Sequence, residues 1–205
     1  MLVKEAKTYG EISNRNTKMP GTTYAIDAFA CIKGSKLAKI EGTPCHGCYA
    51  RKLQKMRPSV DQGWKANLAK YKAADQEKWT QAIAFQILRY NKDGYHRWFD
   101  SGDLQSIEML DAIVQVCRMT PKIKHWLPTQ ELGMVKAYAG ELPPNLTIRI
   151  SASKIDGKAP NYPNTSGVTR DKAKATCFAY LNNNSCGPCR DCWSQEIEHV
   201  IYPKH

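Results

Sequence analysis

Three cysteines fall within seven residues near the C-terminus, Cys186-Gly187-Pro188-Cys189-Arg190-Asp191-Cys192, and Cys177 lies nine residues upstream. A C-x2-C-x2-C run lets successive thiolates point at neighbouring irons of an iron–sulfur cube, and a more distant cysteine completes the set. Tetrahedral zinc usually takes its cysteines as pairs from two separate knuckles. The run therefore predicts a [4Fe–4S] cluster on Cys177, Cys186, Cys189 and Cys192, with a four-thiolate zinc staple as the alternative. Pro188 stiffens the wrap. Arg190 and Lys174 would moderate the negative charge of a cluster.

A second group, Cys31 with Cys45 and Cys48, lies in the N-terminal quarter. Three thiolates there would ligate three irons of a second cluster and leave the fourth open to a substrate. They would equally serve by sharing one site with the C-terminal group, or by binding zinc with His46. Cys117 sits on the apolar face of a helical pattern and is expected in the core. His96, His125, His199 and His205 have no ligand partners by spacing.

The third constellation is Asp100-Ser101-Gly102-Asp103, a turn between a strand pattern and a helix pattern. In parallel sheets, ligands sit beyond the C-terminal ends of the strands. Ser101, Gly102 and Asp103 are expected to bind an amine or hydroxyl of a cofactor, with plain helix capping as the alternative. Thr129 and Ser151 end the next two strand patterns and are expected on the same rim.

Several elements must position these groups. Residues 1–22 read as an irregular or edge segment, and Tyr24–Ala30 as a first strand running into Cys31. Residues 32–44 read as a polar loop, and 63–91 as one long helix with an apolar stripe. His96–Phe99, a helix over 104–119, Lys124–Leu127, a helix over 130–139 and Leu146–Ser151 then alternate. Such alternation implies parallel pairing through right-handed crossovers. Residues 154–175 read as a loop. The expected fold is α/β, a partial parallel sheet or half-barrel. Residues 1–153 form a body with an N-terminal Cys loop, and 154–205 form a loop-rich, cluster-binding C-terminal region.

With 42% hydrophobic residues the 205-residue chain can bury a core, which excludes a disordered protein. Its polar N-terminus lacks a secretory signal, and its apolar runs fall short of the roughly 20 residues of a membrane span. A cytoplasmic location follows, where cysteines serve as ligands more than as disulfides. The formal charge is +11. Residues 51–80 hold eight Lys or Arg against three Asp or Glu. This is either a solvated basic face or a surface for an anionic partner: nucleic acid, nucleotide or acidic protein.

Cys31, Pro44–Ala50, Arg97–Leu104, His125–Thr129, Pro144–Ser151 and the Cys-rich end at Trp193 together resemble a family of bacteriophage proteins, the gene product eighty-eight family. The resemblance spans roughly residues 24–193 and implies a phage-encoded protein of the infected host cell. A looser similarity is to radical S-adenosylmethionine enzymes, partial barrels with a three-cysteine [4Fe–4S] loop after the first strand. They also carry a Gly-Gly-Glu-like motif after the second strand, and many have further clusters in a Cys-rich tail. Cys31, Cys45 and Cys48 map to the first motif and Ser101-Gly102-Asp103 to the second, which implies S-adenosylmethionine as a cofactor. Those enzymes use C-x3-C-x2-C, whereas thirteen residues separate Cys31 from Cys45 here. The expected function is a phage-encoded iron–sulfur protein with a redox or radical-type enzymatic role. The alternative is a non-catalytic module with a structural Fe–S or Zn site and a basic surface for nucleic acid or a host factor.

Overall fold

The computed structural model describes residues 1–14 and 16–204, so His205 lies outside the described residues. Six parallel strands form one open sheet in the order of the sequence: β1 (Thr22–Tyr24), β2 (Tyr95–Trp98), β3 (Lys124–Thr129), β4 (Leu146–Ser151), β5 (Thr165–Thr169) and β6 (His199–Pro203). The helices are α1 (Val3–Tyr9), α2 (Ile32–Leu37), α3 (Tyr49–Met56), α4 (Pro58–Ala73), α5 (Gln76–Tyr90), α6 (Ile107–Met119) and α7 (Leu132–Ala137). Strands added always on the same side, through right-handed crossovers, place their helices on one face of the sheet.

Side chains alternate accordingly. Tyr24, His96, Trp98, Leu127, Ile148 and Ile150 are buried in the helix-side core with Trp79 and Ile83 of α5 and Leu110 and Ile113 of α6. Their strand neighbours Tyr95, Arg97, Trp126, Thr147 and Arg149 point to the opposite face. That face receives the C-terminal segment. The Trp193 ring meets Trp126 and Tyr95, at 5.2 and 5.4 Å between centroids.

The helix read over 63–91 is two helices. Ala74 turns to extended backbone, and Asp75 restarts the chain by accepting a hydrogen bond from the Lys78 amide at 3.0 Å. A break that keeps the apolar stripe in phase is invisible to periodicity. Residues 1–22 contain α1, whose Ala6 is fully buried. The first strand is only three residues long; Asp27 then caps a 3-10 turn at Ala28–Ala30. The polar stretch 32–44 holds α2.

The region read as loop-rich, 154–205, contributes β5 and β6 to the same sheet. Thr165-Ser166-Gly167-Val168-Thr169 is too polar to read as a core strand. It lies between β4 and β6, with its polar side chains paired to Ser151, His199 and Asp156. Both sheet edges are covered. Ser13 and Thr23 exchange two 2.8 Å backbone bonds along β1, and Thr176 and Cys177 donate to the Ile201 carbonyl of β6 at 3.0 Å. No helix among the described residues is long and apolar enough to cross a membrane.

Candidate functional site: two groups of thiols on one sheet

The N-terminal thiols sit beyond the C-terminal end of β1. The thirteen-residue spacer folds back through α2, and Thr43 closes its turn by donating to the Leu37 and Ile40 carbonyls at 2.8 and 2.9 Å. This returns Cys45 to Cys31. The Sγ atoms of Cys31 and Cys45 lie 3.6 and 3.7 Å from the point where a Cβ on Gly34 would stand. The Cys31 Cβ stands only 3.0 Å from that point, so a glycine lets α2 approach both cysteines closely. Cys48 caps α3 and is close enough to raise the pKa of both other thiols. Burial pushes the Cys45 thiol up to about 11, aided by Cys48 and Asp103 and opposed by Arg51 and Lys33. The Cys31 thiol is raised more strongly, again by burial first. Nδ1 of His46 donates to the Ala38 carbonyl at 3.2 Å.

Two buried polar side chains hold this loop, and nothing in their spacing announced either. Gln54 of α3 accepts from the Ala28 amide at 2.9 Å and donates to Asp27 at 2.7 Å. Glu131 accepts from the Lys33 amide at 2.8 Å, which ties α2 to the end of β3.

The turn after β2 begins with strain. Phe99 has φ 53°, an unfavourable value for an aromatic residue, and Gly102 has φ 84°. A Cβ on Gly102 would stand 2.2 Å from Ile26 Cγ1, so only glycine fits. Asp103 is buried beside the N-terminal thiols, and its carboxylate is fully engaged. It accepts from the Thr129 hydroxyl, the Gln130 amide at 2.9 Å and the Leu104 amide at 2.8 Å. Burial pushes it up to about 6 against these bonds. The Ser101 Oγ is buried with no partner.

Of the five residues expected on one rim, Ser101, Gly102, Asp103 and Thr129 come together. Ser151 does not join them. Thr129 is paired with Ile150, so Ser151 lies on the opposite face, where its hydroxyl meets Ser166 at 3.2 Å.

The C-terminal thiols lie against that opposite face. The Cys189 amide bonds to the Cys186 carbonyl at 3.1 Å, closing a turn through Gly187 at φ 53°. Burial raises the Cys186 thiol, and the nearby Cys177 and Cys189 raise it further. Cys192 is pushed up to about 12 by burial, although a 3.1 Å contact with the Tyr202 hydroxyl opposes this. Cys189 is exposed.

Arg149, fully buried on β4, anchors the segment. Its guanidinium donates to the carbonyls of Asp191 (2.6 Å), Ser194 (2.7 Å), Cys192 (3.1 Å) and Thr165 (3.3 Å). Thr147 adds a bond to the Trp193 carbonyl, and the Trp193 indole donates to the His96 carbonyl, both at 2.9 Å. Arg97 of β2, stacked 4.6 Å over Trp126, lies between the thiol groups. It favours ionisation of Cys186 and Cys192 on one side and of Tyr49, next to Cys48, on the other.

Cys117 is fully buried among α5, α6 and the sheet, as its apolar face predicts. Among the described residues no three His, Cys, Asp or Glu side chains, as they stand, converge closely enough to hold a metal ion. The donor sets nonetheless suit a thiolate centre. Each groups soft sulfurs with cations, Arg51 and Lys33 at the N-terminal thiols and Arg97, Arg149 and Arg190 at the C-terminal ones, with the Asp103 and Asp191 carboxylates also close by.

The frame is thus a singly wound parallel α/β sheet carrying one thiol group at its first strand and another across its helix-free face. The chain belongs to the Gene product 88 family, a family of phage proteins, whose model matches residues 5–195. Neither a curated protein nor a solved structure matches it.

Proposed function

We propose that this chain is a phage-encoded iron–sulfur protein. Cys177, Cys186, Cys189 and Cys192 would hold a [4Fe–4S] cluster, and Cys31, Cys45 and Cys48 would hold a second metal centre beside Asp103. The observation that carries this reading is the return of Cys45 to Cys31 by α2, which brings both sulfurs within 4 Å of one point at Gly34. Buried cysteines with no role beyond packing need no such device. When bound, a cluster supplies one-electron chemistry.

The chain's own residues would tune it. Arg97, Arg149 and Arg190 set positive charge near the C-terminal thiols, and Arg51 and Lys33 do so near the N-terminal ones. The raised thiol pKa values mean that metal binding must displace protons, so affinity rises with pH.

A radical S-adenosylmethionine reaction is the finer form of this proposal. In its favour are the thiol loop after β1 and the Ser-Gly-Asp turn after β2 in a singly wound sheet. The family match does not extend to those enzymes. One observation favours the alternative, a non-catalytic module: the Asp103 carboxylate expected to take a ligand amine is already filled by the fold.

Anaerobic iron, zinc and sulfide analysis of the wild type, Cys45→Ala and Cys189→Ala tests the reading. Two centres lose about half the iron in each variant, and one shared centre loses nearly all in either. Colourless protein holding only zinc, or cystines, refutes it. Cleavage of S-adenosylmethionine by the reduced protein separates enzyme from module.

A further inference from the structure

The loop between Cys177 and Cys186 presents two large apolar side chains to solvent. Phe178 is 62% exposed and Leu181 is 72% exposed, on either side of one 3-10 turn at Ala179–Leu181. An apolar pair left in water on a loop that must also place two thiols needs a reason, since a polar residue would serve the turn as well.

Cations surround the pair. Lys172 lies 5.5 Å over the Tyr180 ring, Lys18 reaches the Asn183 carbonyl at 2.6 Å, and Arg190 donates to the carbonyls of Gly187 and Cys189. Among the described residues, Lys172, Lys18 and Arg190 have no carboxylate within ion-pair distance, whereas the neighbouring Lys174 has Asp171 at 3.8 Å. The Cys186 amide bonds to the Lys18 carbonyl at 2.8 Å, which ties Lys18 to the same thiol loop that carries Phe178, Leu181 and the exposed Cys189.

We infer that this surface docks an acidic electron-carrier protein of the iron–sulfur or flavin class, with Phe178 and Leu181 as the anchor and Lys172, Lys174, Arg190 and Lys18 as the steering rim. The inference rests on the proposed C-terminal cluster. Apolar anchors inside a charged rim are the anatomy of a transient protein interface. A rim with an excess of cations, here Lys172, Lys174, Arg190 and Lys18 against Asp171 and Asp191, raises the encounter rate with an acidic partner and sets its salt dependence. A nucleic acid would use the charges and could stack on Phe178, but Leu181 has no ring face to offer it. Docked here, a reduced carrier would pass one electron to the oxidised cluster and leave oxidised, with no proton or bond exchanged.

The test titrates the anaerobically prepared full chain with an acidic [2Fe–2S] ferredoxin as the probe, at several salt concentrations. Iron content is measured on the same samples. Lys172→Glu/Lys174→Glu is expected to weaken binding about tenfold or more at low salt and to flatten the salt dependence. Phe178→Ser/Leu181→Ser is expected to weaken binding about tenfold with the salt slope kept. Reduction of Phe178→Ser/Leu181→Ser by dithionite should match the wild type. Iron-loaded variants that bind ferredoxin as the wild type does overturn the docking surface alone. So does loss of salt-dependent retention on single-stranded DNA with ferredoxin binding intact. Samples without iron overturn the cluster reading instead.

Discussion

Replacing Arg149 with Met isolates what holds the C-terminal thiols in place. Met fills much of the same volume but makes none of the four hydrogen bonds to the carbonyls of Thr165, Asp191, Cys192 and Ser194. Bonds from a charged donor contribute about 1.5–3 kcal/mol each, and an orphaned buried carbonyl costs about 1–3 kcal/mol. Asp191 and Ser194 are half-buried and will recover water, whereas Thr165 is buried and will not. Removing a buried guanidinium also relieves its desolvation. The net expectation is a loss of about 3–5 kcal/mol. For a chain of this length that lowers Tm by about 10 °C.

A general loss of packing would give the same number, so a local readout is needed. In the metal-free protein, Cys192 is half-buried with a raised pKa, and it should react slowly with a thiol reagent. Arg149→Met should speed Cys192 well beyond Cys45, which lies on the other side of the frame. Arg149→Lys keeps the charge but not the planar fork, so it should recover less than half the stability. A Tm shift under about 3 °C with Cys192 still slow would refute the clamp.

Other positions give sharper single outcomes. His125 is neutral in the fold, its pKa lowered by burial to about 3, while an unfolded histidine takes its proton near 6.5. Its contribution is therefore whole above pH 6.5 and is lost as pH falls toward 3, reaching about 3 kcal/mol at pH 4.5. Urea titrations at pH 7 and 4.5 should show this loss in the wild type and a smaller one in His125→Gln; equal losses would contradict it. Gly102→Ala forces φ 84° on a side chain and drives its Cβ into Ile26, so it should destabilise by about 3 kcal/mol or more; wild-type thermal stability would show that the turn relaxes freely. Gly63, exposed in the interior of α4, has nothing within 4 Å of its would-be Cβ. Gly63→Ala should raise stability by about 0.5–1 kcal/mol in the same denaturation assay; a drop would contradict the open space at that position.

The helix-side core was legible because its residues repeat. Leu146, Ile148 and Ile150 alternate as a strand must, and Leu110, Val114 and Cys117 recur as a helix must, whereas Ile107, read on the same face, is exposed. β1 was read as a strand but placed too late and too long, and β5 and β6 were not read at all. β1 is three residues long, and Thr165–Thr169 satisfies its polar side chains through tertiary partners that a window of sequence does not contain. The cysteine spacing revealed two groups of thiols but not their frame. α2 carries Lys33, Gly34, Ser35 and Lys36, which read as a loop, yet the carbonyl partners of Thr43 and the Glu131–Lys33 bond fold it back. Arg149 gave no signal either. An arginine in an alternating strand reads as solvent-facing, and only the main chain of residues 191–194 makes it an interior residue.

A singly wound sheet explains why the thiols and the fold are inseparable here. Crossovers of one hand leave the second face of the sheet without helices, and something must cover Trp126, Thr147 and Arg149. In this chain the cover is residues 191–194, bonded through their carbonyls and followed directly by the chain that becomes β6. Whatever fixes Cys189 and Cys192 therefore also seals the sheet. Anything that loosens the sheet's last two strands unseats the thiols. Metal binding and folding of residues 165–203 should then be one linked equilibrium. Chelation should expose amides of β5 and β6 to hydrogen exchange before those of β3 and β4, because the latter are also held by α6 and the aromatic core. Uniform exposure of all six strands would contradict that linkage.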